Sequence, residues 1–237
     1  CTCSHGCPTS PLWRDHVYQR PLRHRVGYNA DGTGQHTGRR SEHFAGAFYT
    51  NVCAPVFRDI DGFSRFGNGP SLNWVGNVGV TVCKSGMHGL GRAFDLTRIQ
   101  MHGWAVDCNT SWRSDRALSS RRRYLGVVAS CRLHAGTVLT TWYNAAHGNH
   151  IHFDNGVPFT TIRANMRSDT TFVQAACNLM TSAGLAVDGI WGPLTDAAYN
   201  HLRSRLGLAH QNPRANVAHA RSFLVHIAVR GISGDGT

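Results

Sequence analysis

The sequence predicts an α+β protein, with a small antiparallel sheet and helices followed by a C-terminal three-helix bundle. Three observations predict it. Short apolar runs punctuated by turn residues fill positions 51–158, three amphipathic segments fill 168–231, and only 16% of the 237 residues are charged while 26 are Gly. The last excludes coiled coils and long solvated helices. No run of about 18 apolar residues occurs, which argues against a membrane-spanning helix. At roughly 150 residues per domain, the length allows one large domain or one with a small companion.

Residues 1 to about 50 hold three clustered cysteines, three prolines and the Gly-rich run Asp31-Gly32-Thr33-Gly34, and suggest an irregular, disulfide-stapled N-terminal extension. From 51 to 158 the apolar runs begin. Residues 78–82 are rich in β-branched side chains and predict a strand, as do residues 137–143. Residues 116–128 predict a helix with Leu118, Leu125 and Val128 on one side. A linker follows Pro158. Ser168 or Asp169 then caps a helix whose stripe is Phe172, Ala176, Leu179, Met180 and Ala183, with Gly184 as its stop. Asp188-Gly189 makes a turn. Pro193 sits at the first position of a second helix with Leu194, Ala197, Ala198 and Leu202, ended by Gly207. A last stripe carries Val217, Ala220, Leu224, Ile227 and Ala228 up to Gly231.

The charges are lopsided. Lys+Arg is 24 against 13 for Asp+Glu, a net +11, and Lys84 is the only Lys and Glu42 the only Glu. Chemistry that needs two lysines, or a Glu elsewhere, is excluded. A strong positive charge attracts polyanions: nucleic acid, anionic cell-wall polymer or acidic lipid. Basic and aromatic residues do not interleave in stripes, which speaks against nucleic acid. The eight cysteines, even in number and without a paired C-x-x-C motif, suggest disulfides in an exported protein. Eight cysteines allow about 105 pairings, so connectivity is not readable. A zinc knuckle from Cys1, Cys3, His5 and Cys7 is the alternative for the first of them. The chain opens without a basic stretch and apolar run, so any signal peptide is expected to have been removed.

The chemistry concentrates in histidine. With 15 histidines, an H-x-H arises about once by accident. His147-Gly148-Asn149-His150-Ile151-His152 is rarer, since H-x-x-H-x-H is expected about 0.06 times. Upstream, His88-Gly89-Leu90-Gly91-Arg92-Ala93-Phe94-Asp95 has a chance expectation of about 0.01. On a strand over 150–154, His150, His152 and Asp154 share one face and Ile151 and Phe153 the other. On a strand over 92–97, Ala93 and Asp95 share a face. Two imidazoles and a carboxylate on adjoining strands make a three-ligand zinc site with a fourth position open. The other eleven histidines read as surface residues.

These two motifs together resemble the zinc D-alanyl-D-alanine peptidase superfamily, which also holds the hedgehog signalling domain. The stretch from Gly136 through Tyr143-Asn144-Ala145-Ala146-His147 to His152-Phe153-Asp154 is similar to its extensin-like C-terminal branch. Val187-Asp188-Gly189-Ile190-Trp191-Gly192-Pro193-Leu194-Thr195 resembles the peptidoglycan-binding three-helix module. The resemblance covers residues 51–158 and 168–207. It implies a zinc peptidase domain over 51–158 and a peptidoglycan-binding helical domain over 168–231. It also implies one zinc ion held by His88, Asp95 and His152, with His147 as general base and acid and His150 supporting the developing oxyanion. Gly86 stands where the family often has Ser. The family's upstream Arg has no counterpart close before His88, which leaves Lys84 and Arg65 as candidates to bind the substrate carboxylate.

The implied function is hydrolysis of peptide bonds in peptidoglycan stem peptides, as a D-Ala-D-Ala carboxypeptidase or a cross-link endopeptidase. A secreted monomer is expected, with peptidoglycan as partner and neither nucleic acid nor membrane. A non-catalytic, zinc-bearing wall-binding protein is the alternative, and His147 argues against it, because a structural site needs no base. A serine penicillin-binding mechanism needs S-x-x-K and a second Lys motif. Lys84 follows Thr81 by three positions and no other Lys exists, so that route is closed. A Cys83–His peptidase is formally possible, but a disulfide suits that thiol better.

Overall fold

The computed structural model describes residue 4, residues 6–26 and residues 35–236. Cys1, Cys3 and His5 of the zinc-knuckle alternative, and the Gly-rich run 31–34, lie outside the described residues. The described residues form an α+β fold.

Strands β1 (Pro11–Arg14), β2 (His16–Val17), β3 (Arg20–Val26), β4 (Gln35–Arg39) and β5 (Glu42–Ala45) precede a helical segment. That segment runs from α1 (Gly46–Phe48) through a π-turn at Tyr49–Cys53 into α2 (Ala54–Phe66). Then come β6 (Leu72–Gly79), β7 (Ala93–Met101), β8 (Ala105–Asp107), α3 (Leu118–Arg132), β9 (Thr137–Leu139) and β10 (Ile151–Asp154). Helices α4 (Arg167–Thr181), α5 (Pro193–Arg205) and α6 (Val217–Ser233) complete the chain. The main sheet runs β2-β3-β6-β7-β10-β9, with β4 beside β3 and β8 beside β7. Its site-bearing pairs are antiparallel, whereas β3 runs parallel to β6. β1 and β5 form a separate two-stranded ribbon.

Several sequence expectations change here. The stretch of residues 1–50, expected to be irregular, carries five strands. Strand β3, Arg-Pro-Leu-Arg-His-Arg-Val, sends a single apolar residue, Leu22, fully into the core, so apolar alternation never announces it. The strand expected at 78–82 lies earlier and ends at Gly79, and the one expected at 137–143 stops at Leu139. Helix α4 ends one turn before Gly184, with Ser182 in the left-handed region at φ 57°. Leu194 is 78% exposed, and α5 buries Thr195, Tyr199 and Leu202 instead.

The disulfide framework expected from eight cysteines is overturned for four of them. Cys53, Cys108, Cys131 and Cys177 are free, buried thiols that form no disulfide bond. They act as small apolar side chains inside the helices and strands that pack the core.

One hydrophobic core runs through both halves of the chain. Behind β7 and β10, Phe94 and Phe153 lie with ring centroids 5.2 Å apart, and Phe57 of α2 reaches Phe94 at 5.4 Å. Burying each such ring contributes about 1.5–3 kcal/mol. The C-terminal helices close on one another through Tyr199 of α5 and Phe223 of α6, 5.5 Å apart. Helix α6 also lies along α3, where two glycines meet. A Cβ on Gly231 would sit 2.7 Å from the Gly126 Cα, so only paired glycines allow this approach.

The linker after β10 is tied by a buried ion pair. Arg132, at the end of α3, donates from Nε and Nη2 to the two oxygens of Asp169 in α4, at 2.9 and 3.0 Å. Arg163 of the linker joins it through its backbone N–H at 2.9 Å. Asp169 therefore serves the tertiary pair rather than capping α4, which has no side-chain cap. Asp169→Ala leaves a buried guanidinium without its partner and is expected to destabilise the fold by about 3–5 kcal/mol in urea unfolding. A loss below about 1 kcal/mol would show that the pair does not hold the linker.

Candidate metal centre

Strands β7 and β10 pair with Phe94 opposite Phe153 and Asp95 opposite His152. Phe94, Leu96, Ile151 and Phe153 are buried in the core, so the pleat turns Asp95 and His152 to the other face. His88 arrives from the loop between β6 and β7. Gly91 in that loop adopts φ 64°, a left-handed conformation that suits glycine. A side chain there would also meet the backbone of Ala45.

The three side chains converge. His88 Nε2 lies 3.1 Å from Asp95 Oδ1 and 3.2 Å from His152 Nδ1, and His152 Nδ1 lies 2.8 Å from Asp95 Oδ1. This group can hold a metal ion. A tetrahedral ion with bonds of about 2.1 Å needs donors about 3.4 Å apart, close to this triangle. The donor set of two imidazoles and a carboxylate suits a borderline divalent metal.

The remaining ring nitrogens are anchored. His88 Nδ1–H donates to the Val80 carbonyl at 2.8 Å, which points Nε2 inward. On the far side of His152, Nε2–H donates to Asp154 Oδ2 at 3.0 Å, and Asp154 Oδ1 accepts from the Gly156 N–H at 2.7 Å. A carboxylate behind a ligating imidazole fixes its orientation and raises its basicity.

The electrostatics favour positive charge at the centre. Burial opposes ionisation of Asp95, but hydrogen bonds from His152 and His88 override it and hold the carboxyl well below the usual range. Burial likewise disfavours charge on His152, yet hydrogen bonds to Asp154 and Asp95 raise its pKa to about 9. Two buried carboxylates around one imidazole call for a proton or a metal ion.

His147 stands in the 3₁₀ turn Ala145–His147, its ring 6.0 Å from that of His152 and 5.0 Å from that of His150. Its Nδ1–H donates to Asn144 Oδ1 at 2.6 Å, leaving Nε2 with the lone pair. Burial, and then the neighbouring His150 and His152, lower its pKa to about 4. Trp112 Nε1–H pins the loop at the Gly148 carbonyl, 3.0 Å away. His150 is buried, with Nε2 3.7 Å from Asp95.

A cavity of about 510 Å³ opens on these groups. Lys84 lines it, as the sequence suggested, together with His88, Asp95, His147, His150 and His152. Arg65 does not. It lies on α2 and is bound by Asp61, four residues before it, at 2.6 Å, where it neutralises a buried carboxylate. The cation that sequence reasoning missed is Arg25, and beside it His24, both from β3. His24, grouped with the surface histidines, also meets Glu42 at 3.0 Å. No apolar alternation marks β3 as a strand, so the sequence carried no cue to either.

Comparison with protein-family models, with characterised proteins and with solved structures returns no match. The site stands on its own geometry.

Asp154→Asn keeps the side-chain shape but removes the charge behind His152. It is expected to weaken divalent-metal affinity by about 10–100-fold, measured by competition with a chromophoric chelator. Unchanged affinity would mean that Asp154 does not orient the ligand.

Proposed function

We propose that this protein is a zinc-dependent peptidase that cleaves peptide bonds in bacterial peptidoglycan stem peptides, as a D,D-carboxypeptidase or cross-link endopeptidase. One observation carries the reading: a metal-binding triad and an unprotonated, oriented imidazole share one cavity with cationic walls. The resemblance of both histidine motifs to the zinc D-alanyl-D-alanine peptidases supports it further.

His88, Asp95 and His152 would hold the ion. Zinc at such a site supplies Lewis-acid polarisation of a carbonyl and makes water more acidic. His147 Nε2 accepts a proton from the attacking water and returns it to the leaving amine. Its Nδ1–H bond to Asn144 fixes the tautomer needed for both steps. His150 closes the wall behind the reacting carbonyl. Lys84 and Arg25, which line the cavity, draw in the terminal carboxylate of the substrate. Arg25, as a planar fork, suits bidentate binding, and Lys84 acts as a point charge.

Helices α4 to α6 would hold the enzyme on the insoluble wall and raise its local concentration there. The turn before α5 and the first turn of that helix leave Ile190 68% and Leu194 78% exposed beside Trp191, a surface of the right kind for a polymer. Tyr199, at 2% exposed, belongs to the core instead. Secretion as a monomer fits such a role.

Digestion of purified peptidoglycan, with products identified by mass spectrometry, tests the reading. Activity is expected to vanish with a chelator and return with zinc. His147→Ala is expected to keep its metal and lose about 10²–10⁴-fold in rate. His152→Ala should lose metal and activity together. Full metal and full D-Ala release from His152→Ala would sink the proposal.

A further inference from the structure

Helix α2 carries two faces. Val56, Phe57 and Ile60 turn into the core. Asp59, Gly62, Phe63 and Phe66, spaced i, i+3, i+4, i+7, share a second face that borders a cavity of about 690 Å³. Helix α6 supplies the facing wall with Val225 and Val229. No residue of this cavity also lines the metal cavity. Concave sites of about 300–1,000 Å³, mostly apolar with a few polar groups, are the usual form of small-molecule sites.

Two features show that the cavity is kept open. Phe66 is 81% exposed, so its ring contributes little to the core and is available to a ligand. Gly62 lies within α2, where glycine is unfavourable compared with other residues. No positive φ requires it, and a Cβ added there would meet nothing within 4 Å. Its effect is to leave the cavity unfilled beside Phe63 and Phe66.

The polar groups around this apolar lining are mainly basic: Arg58 from α2, and Arg230 and His226 from α6. Asp59 is the one carboxylate among the lining residues, and His134 Nε2 at 2.7 Å and Arg58 Nε at 3.1 Å already meet it. Among the described residues Arg58 bonds through Nε and Arg230 through Nη1, to the Gly236 carbonyl at 3.4 Å, so both keep N–H groups for a ligand.

We propose that this cavity binds a free fatty acid, a single alkyl chain ending in a carboxylate. The chain lies against Phe63, Phe66, Val225 and Val229, and the guanidiniums of Arg58 and Arg230 hold the carboxylate. The walls are helices whose backbone groups are bonded within themselves. They leave an extended peptide's N–H and C=O groups unmatched, whereas an alkyl chain has none to match. From Arg58 to Phe66 the wall is about 12 Å long, which suits a chain of medium length. The site is separate from the proposed peptidase chemistry and does not rest on it.

The test is calorimetric titration of the full-length protein with decanoate, octanoate and decyltrimethylammonium, each below its micelle-forming concentration. Decanoate is expected to bind at one site, about 10–20-fold more tightly than octanoate, because each methylene adds about fourfold. Decyltrimethylammonium, with the same chain and the opposite charge, is expected to bind about tenfold more weakly. Gly62→Leu is expected to weaken decanoate binding at least tenfold while its urea midpoint stays or rises, since Leu favours the helix. Phe66→Ala, at an exposed ring, should weaken binding severalfold, and Arg58→Gln with Arg230→Gln should remove the charge preference. No saturable decanoate binding, binding undiminished in Gly62→Leu, or equal affinity for the cation would overturn the site. Without decanoate binding, self-association that Gly62→Leu abolishes would overturn it in favour of a second copy, and binding to anionic phospholipid vesicles in favour of a membrane.

Discussion

The register of β10 against β7 is the constraint on which the rest of the molecule depends. Phe94 opposite Phe153 and Asp95 opposite His152 are alternate rungs of one ladder. A slip by a single residue would turn the aromatic pair to solvent and the two polar residues into the core. The hydrophobic effect thus positions the polar cluster without touching it. His88 completes the triangle from a separate loop, held by a backbone carbonyl, so its place depends on how β6 hands over to β7.

Beyond that ladder the protein manages buried charge by pairing it closely. Asp169 takes Arg132 and Arg163, Asp61 takes Arg65 and the Leu72 N–H, and Asp154 takes His152. With so few acids, nearly every buried carboxylate is committed to one structural task. Part of the basic excess is then left on the sheet, with Arg25 and Lys84 lining the cavity and Arg23 and Arg98 beside Trp74.

The sequence exposed the chemistry more fully than the frame around it. The two histidine motifs named the converging residues, because each sets a polar ligand on a strand, Asp95 on β7 and His152 on β10, whose alternate neighbours Phe94 and Phe153 are apolar. Helices α3 to α6 were legible from their apolar stripes, including Pro193 at the start of α5. Strands β1 to β5 were not, since they are short and carry basic residues on their outward positions. With β3 hidden, Arg25 could not be foreseen and Arg65 was taken in its place, although Asp61 one turn away already marked Arg65 as a pairing residue. The cysteine count also misled for Cys53, Cys108, Cys131 and Cys177, which are buried free thiols, because composition does not separate a packed thiol from a paired one.

The contact of Gly126 with Gly231 has a broader meaning. Backbone touches backbone there, and the tail shares one core with the half that carries the metal-binding group. A protease that clipped the linker would not merely free the tail. It would strip the covering from α3, whose end is tied by Arg132 to the same linker, and the damage would spread towards the β10 end of the sheet. The packing of the tail and of the sheet that carries the metal-binding group would therefore be lost together, and a tail could be exchanged only along with the helix that receives it.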